Sequence, residues 1–190
     1  MKKGRPIIIV APSGSGKTTI IKQLMIELPL LRFSTSATTR KPREGEVHGK
    51  DYYFLSPNEF QKHIESNHFL EWEEFYGGKR YGTLQSAVEN QLDKGYFCLL
   101  DIEVMGALNV KRIYGNKALS IFIKPPSLDV LKKRLENRGT ETAETLQLRL
   151  DRAEMEMKYE PDFDHCVIND KLDLAYAQVK QLIETFINED

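Results

Sequence analysis

Several things are scarce in this chain, and each shortage closes off a class of protein. Cysteine occurs twice in 190 residues, as Cys98 and Cys166. The two form no CxxC pair and each lies in an apolar run, so both read as core thiols kept in a reducing compartment. The four histidines, His48, His63, His68 and His165, show no HExxH and no zinc-ligand spacing, which argues against a protein-bound zinc centre. Net charge is also lacking: 27 Lys+Arg stand against 28 Asp+Glu, a formal −1. No overall field favours nucleic acid or an anionic membrane, and any anion site must be local. No apolar run approaches the ~20 residues that span a bilayer. The stretch behind the basic MKKGR start is cut by Pro12 and is too short for a signal peptide. A cytoplasmic protein without membrane or nucleic-acid partners is expected.

What remains is an ordinary globular composition, 41% apolar and 29% charged with 12 glycines and 8 prolines, in a length that suits one sizeable domain with an insertion. Ile7–Val10 is a short β-branched run that opens into Ala11-Pro12-Ser13-Gly14-Ser15-Gly16, and Ile21, Leu24, Met25 and Leu28 follow at helical spacing before Pro29. Further buried-strand patterns lie at Leu31–Ala37, Tyr96–Ile102, Ala118–Ile123 and Cys166–Ile168, mostly with helical periods between them. This alternation predicts a parallel α/β sheet of five strands with right-handed crossovers.

Between about Thr38 and Leu92 the alternation breaks. A charged loop leads to a strand at Tyr52–Leu55, and Ser56-Pro57-Asn58-Glu59 combines a capping box with proline at the first helical position. A strand at Phe69–Phe75 then turns at Gly77-Gly78 toward Arg80–Thr83, as in a hairpin. The interval reads as an inserted α+β lobe. The last third is helical, with the stripes Leu128/Leu131/Leu135, Leu146/Leu150/Ala153/Met157 and Leu172/Ala175/Val179/Leu182/Phe186 facing the core.

The stretch Ala11 to Thr18 fits the phosphate-loop spacing GxxxxGK[ST], with alanine at the first glycine position. Backbone N–H groups can converge on a polyphosphate only where the loop takes glycine-tolerant dihedrals, and the following helix adds its positive N-terminus. Ala11, Pro12, Ser13, Gly14, Ser15, Gly16, Lys17, Thr18 and Thr19 are therefore the candidate nucleoside triphosphate cradle. Lys17 would reach the β and γ oxygens and Thr18 would hold Mg²⁺. Asp101, at the end of a buried-strand pattern, suits either a water-mediated Mg²⁺ contact or a plain helix cap.

The lobe offers a second anion site. Arg40 and Arg43 present planar forks, and Tyr52 and Tyr81 present hydroxyls, a set suited to a terminal monophosphate. Glu71 matches the N1 and N2 donors of guanine, and the hydroxyls of Ser36 and Thr83 match its acceptors; adenine would leave Glu71 unpaired. Taken singly, Arg40 and Arg43 could as well be an exposed basic patch, Tyr52 and Tyr81 ordinary sheet residues and Glu71 a solvated strand carboxylate. Arg134, Arg138 and Arg149 flank the polar break Gly139-Thr140-Glu141-Thr142 and suit a mobile segment closing over phosphates, or else a helix surface.

The run S-x-T-T-R-x-P-R-x-G-E from Ser36 to Glu46, with G-K-D-Y behind it, resembles the signature of guanylate kinases. The resemblance continues in Phe69-Leu-Glu71-Trp72, Tyr81-Gly-Thr83, Asp101-Ile-Glu103, Lys133-Arg134-Leu, Arg138-Gly-Thr-Glu-Thr and Ile168-Asn169-Asp170. It implies a P-loop kinase of three α/β/α layers that phosphorylates GMP, and dGMP in the same way, with ATP and Mg²⁺, as a monomer or homodimer. It implies a core of about 1–37, 94–136 and 151–190, a GMP-binding lobe of about 38–93 and a lid of about 137–150. It also adds Glu103 to the GMP set, Asn169 to the ATP set, and a catalytic group of Lys17, Arg40, Arg134, Arg138 and Arg149. Ala11 and Met105 depart from the usual pattern, glycine and glutamine being common there. Two rivals are a non-catalytic module of the same fold and a P-loop kinase for another phosphorylated acceptor.

Overall fold

The structure, a computed structural model, describes residues 2–75, 77–137, 139 and 142–189. In chain order its elements are β1 (Pro6–Val10), α1 (Lys17–Glu27), β2 (Leu31–Phe33), β3 (Ala37–Thr38), β4 (Tyr53–Phe54), α2 (Pro57–Glu65), β5 (Phe69–Phe75) and β6 (Lys79–Leu84). Then come α3 (Gln85–Asp93), β7 (Phe97–Asp101), α4 (Val104–Tyr114), β8 (Leu119–Lys124), α5 (Leu128–Glu136), α6 (Ala143–Met157), β9 (His165–Ile168) and α7 (Leu172–Asn188).

Five strands form a parallel sheet in the order β2-β7-β1-β8-β9. Strand alternation divides its side chains between two cores. Ile7, Ile9, Leu99, Ile121 and Ile123 face α1 and α7, whereas Ile8, Val10, Cys98, Leu100 and Phe122 face α3 and α4. With both faces covered, β1 is buried at every position, which is why it reads as a continuous apolar run. Full burial of each such side chain contributes about 1.5–3 kcal/mol. A third core joins α5 to α6 through Leu131, Leu135 and Ala153.

A second, four-stranded sheet has the order β4-β3-β6-β5, with β5 and β6 antiparallel and Phe75 opposite Lys79 across the turn. Both halves of the predicted capping box form at α2: Ser56 Oγ accepts from Glu59 N–H, and Glu59 accepts from Ser56 N–H at 2.7 Å. Phe60 of α2 stacks on Phe69 at 4.4 Å between ring centroids, which fixes the helix against this sheet.

Two expectations are corrected. The single strand at Leu31–Ala37 is two strands in different sheets, β2 and β3, with Ser34–Ser36 crossing between them. The buried Ser34 N–H donates to Leu99 O at 2.8 Å, after which the chain leaves the parallel sheet. Cys98 is a core thiol, but Cys166 is exposed, because β9 is an edge strand whose only buried side chain is Val167.

Candidate active site

β1 delivers the chain into the glycine loop, and α1 begins directly behind it. Gly14 and Gly16 have φ of 95° and 90°, a region that costs a side chain energy. At Gly16 a Cβ would also collide with the amide of Asn169. Asn169 follows β9, and its Nδ2 donates to Ser15 O at 2.7 Å, so the outer strand ties down the loop from beneath. No side chain caps the N-terminus of α1 and its first turn carries no acid, so its leading N–H groups are available to an anion.

Ala11 to Thr19 line a cavity of about 740 Å³ together with Asp101, Glu103, Arg149 and Arg152. Lys17 Nζ lies 2.5 Å from Asp101 Oδ1. The Asp101 carboxylate and the Thr18 hydroxyl line the same space, an oxygen-only donor set that fits a hard divalent cation. Among the described residues, no group of three or more His, Cys, Asp or Glu is placed to hold a metal by itself. Arg149 Nη1 donates to Ser13 Oγ at 2.8 Å, bringing α6 onto the loop.

A second cavity of about 410 Å³ opens between the two sheets, lined in part by Ser36, Tyr52, Glu71, Tyr81 and Glu103. Lys17, Asp101 and Glu103 line both cavities, so the two spaces share a wall. Strand alternation puts Glu71, Glu73 and Phe75 of β5 on this side. Buried Thr83 donates its hydroxyl to Glu71 Oε1 at 2.6 Å. Burial raises the Glu71 carboxyl above the usual 4.5, against the lowering effect of Thr83.

Other expected site residues stand further off. Arg40 makes a two-pronged pair with Glu46, at 2.7 and 2.8 Å, and its guanidinium lies 4.9 Å from the Tyr52 ring centroid. Arg43 is exposed, and it is its backbone N–H that donates to Glu46, at 2.6 Å. Neither arginine lines the second cavity. Arg134 Nη2 donates to Asp170 O at 3.2 Å and lines neither space. Arg138 lies outside the described residues. Met105 is 63% exposed.

Sequence reasoning missed Arg152, Glu156, Glu73, Phe75 and Lys79, all of which line one of the cavities. The signals were present: Arg152 follows Arg149 by three positions on one helix face, and Glu73 and Phe75 follow Glu71 in strand period.

A parallel sheet that feeds a glycine loop into a helix N-terminus, with a second sheet facing that loop across adjoining cavities, defines a phosphate-loop α/β protein with an inserted second sheet. The family model described as guanylate kinase matches residues 3–186. Curated guanylate kinases from Bacteroides thetaiotaomicron and Salinibacter ruber are 48% and 50% identical, covering 98% and 96% of this chain and 92% and 96% of their own lengths. The crystal structure of guanylate kinase from Anaplasma phagocytophilum superposes with a TM-score of 0.74 at 26% identity, covering 99% of this chain and 88% of that one. The SH3-kinase fragment of tight junction protein 3 shares the fold alone, with a TM-score of 0.56 at 13% identity over 60% of that chain. The chain belongs to the guanylate kinase family.

Proposed function

We propose that the protein transfers the γ-phosphoryl group of ATP to GMP, and to dGMP in the same way, giving ADP and the guanosine diphosphate. The observation that carries this reading is the common wall of the two cavities. A polyphosphate held by the loop and a monophosphate held in the second cavity would meet at Lys17 and Asp101, both of which line each space. An oxygen of the GMP phosphate then attacks the γ-phosphorus in line, the β–γ bridging bond breaks, and ADP leaves. A phosphate dianion needs no general base, so catalysis is positioning and charge compensation.

Residues Ala11 to Thr19 and Asn169 form the ATP site, with main-chain N–H groups on the phosphates and Lys17 at the β and γ oxygens. Ser36, Glu71 and Glu103 read the guanine, with Thr83, whose one O–H is given to Glu71, acting by positioning that carboxylate rather than by touching the base, while Tyr52, Tyr81, Arg40 and Arg43 take the GMP phosphate. The geometry supports the base assignment because Thr83 already aligns the half-buried Glu71 carboxylate. Arg40 lies 4.9 Å from the ring centroid of Tyr52, which lines that space, and to take the phosphate it would have to leave Glu46. Adenine would leave Glu71 buried and unmatched, which sets the preference for guanine. Arg149, already on Ser13, would turn to the transferring phosphoryl group, joined by Arg134 and Arg138 as the 137–150 segment closes.

Thr18 and, through water, Asp101 would hold Mg²⁺. When bound, the ion neutralises charge on the β and γ oxygens. For Asp101 to take this part, Lys17 must leave it for the phosphates. We further propose that the enzyme works in the cytoplasm, as a monomer or dimer.

A coupled assay with Mg²⁺ and ATP, comparing GMP, dGMP, AMP, CMP, UMP and ribose 5-phosphate, tests the reading. Turnover confined to GMP and dGMP is expected. Equal or better use of another acceptor would overturn the assignment.

A further inference from the structure

The ion pair between Arg152 and Glu103 joins the two halves of the site, and none of the motifs that define the phosphate loop or the acceptor set includes Arg152. Arg152 lies on α6 one turn beyond Arg149 and lines the donor cavity, whereas Glu103 directly precedes α4 and lines both. Arg152 Nη2 is 2.7 Å from Glu103 Oε2 and 3.9 Å from Glu73 Oε1, and Nε is 2.8 Å from Glu156 Oε1. Three carboxylates from three elements thus converge on one guanidinium. An arginine committed in this way has few N–H donors left for a phosphate. Glu103 and Glu73 also face Glu71, and their mutual repulsion adds to the burial that raises the Glu71 and Glu73 carboxyls. The acceptor cavity is also lined by Lys79 and by Lys17, which is paired with Asp101; without Arg152, the three carboxylates Glu71, Glu73 and Glu103 would repel one another, and their cheapest response is to swing apart or take up protons.

We infer that Arg152 is a positioning residue for the acceptor purine. It holds the Glu103 carboxylate at the wall of the acceptor cavity and offsets Glu73, so that the base meets an ordered pair of carboxylates. The inference rests on the reading of that cavity as the GMP site. Because α6 also carries Arg149, the same contact would tie the donor-side helix to an occupied acceptor site, linking two ligands through a shared element.

The test is steady-state kinetics on the wild type, Arg152→Met, Arg152→Lys, Glu103→Gln and the Met/Gln double variant, with thermal unfolding measured alongside. Arg152→Met is expected to raise the GMP KM about tenfold, with the ATP KM within about twofold and kcat within about threefold, the size typical of removing one partner from an ordered charge pair. Arg152→Lys should recover most of the loss. The double variant should lose no more than the worse single one, since both substitutions break the same contact. If the wild type does not phosphorylate GMP, the functional reading falls, whatever Arg152 does. If the wild type is active, the inference is overturned by an unchanged GMP KM in Arg152→Met, by a fall in kcat at constant KM, which marks a phosphate contact, by equal rises in both KM values, or by additive losses in the double variant.

Discussion

Glu71 rests against Gly106. The carboxylate that the acceptor cavity presents from β5 packs on α4 where the helix has no side chain, and a Cβ at Gly106 would lie 2.9 Å from Glu71 Oε2 and 3.0 Å from its Cγ. The bare helix surface therefore sets the depth of Glu71, and Thr83 sets its rotation. Gly106→Ala would ordinarily favour the helix by up to about 1 kcal/mol. Here it is expected to push Glu71 out of place and raise the GMP KM by roughly tenfold, the cost of one displaced hydrogen-bonding partner, while the ATP KM stays constant. Kinetics with each substrate varied in turn check this.

Glu71 itself gives a pH prediction. Burial raises its carboxyl above 4.5 in the folded protein, so the ionised form that guanine needs is lost at a higher pH than for an exposed glutamate. The GMP KM should climb on acidification, whereas Glu71→Gln should show a high KM that keeps only the part of the climb caused by protonation of the GMP phosphate itself, whose second pKa is about 6. For stability the sign is opposite. A raised folded pKa contributes stability below 4.5 that disappears as pH rises through the folded value. Glu71→Gln should therefore raise the thermal midpoint of the ligand-free protein at pH 7–8, with the gain shrinking toward acid pH. Midpoints measured across pH decide it.

Lys17 neutralises Asp101 and is the only side-chain cation of the phosphate loop. Lys17→Ala should lower kcat by a factor on the order of 10² or more, equivalent to about 2.7 kcal/mol of transition-state stabilisation. GMP binding should persist, because the side chain only borders that cavity. Turnover near the wild-type level would remove Lys17 from the mechanism.

The capping box at α2 lies away from both cavities. Ser56→Ala should cost about 1 kcal/mol in denaturant unfolding without altering either KM. A kinetic change would mean that α2 positions the acceptor sheet more tightly than its contacts suggest.

Legibility in the sequence followed the range of the forces involved. Local signals were read correctly: Ile7–Val10 runs into the loop and α1, β5 spans Phe69–Phe75 ahead of the Gly77-Gly78 turn, and Ser56 to Glu59 form the cap. The split of Leu31–Ala37 was missed because the run looks continuous, although Ser34-Thr35-Ser36 is a polar break within it. Cys166 was misplaced because an apolar neighbourhood does not say whether a strand is central or at an edge. The pairing of Arg40 with Glu46 and of Arg152 with Glu103 depends on side-chain charge across loops and elements. Motif spacing marks Arg40 and Glu103 but carries no information about those partners.

The central claim is that two anionic nucleotides occupy separate, adjoining cavities, one built on main-chain amides and the other on Glu71. Isothermal titration with GMP, and separately with a non-hydrolysable ATP analogue and Mg²⁺, tests it most directly in the wild type, Lys17→Ala and Glu71→Gln. One site for each ligand is expected, with Glu71→Gln weakening GMP alone and Lys17→Ala weakening the ATP analogue alone. Competition between the two ligands for a single site, or a folded wild type that gives no heat with GMP, would contradict the account.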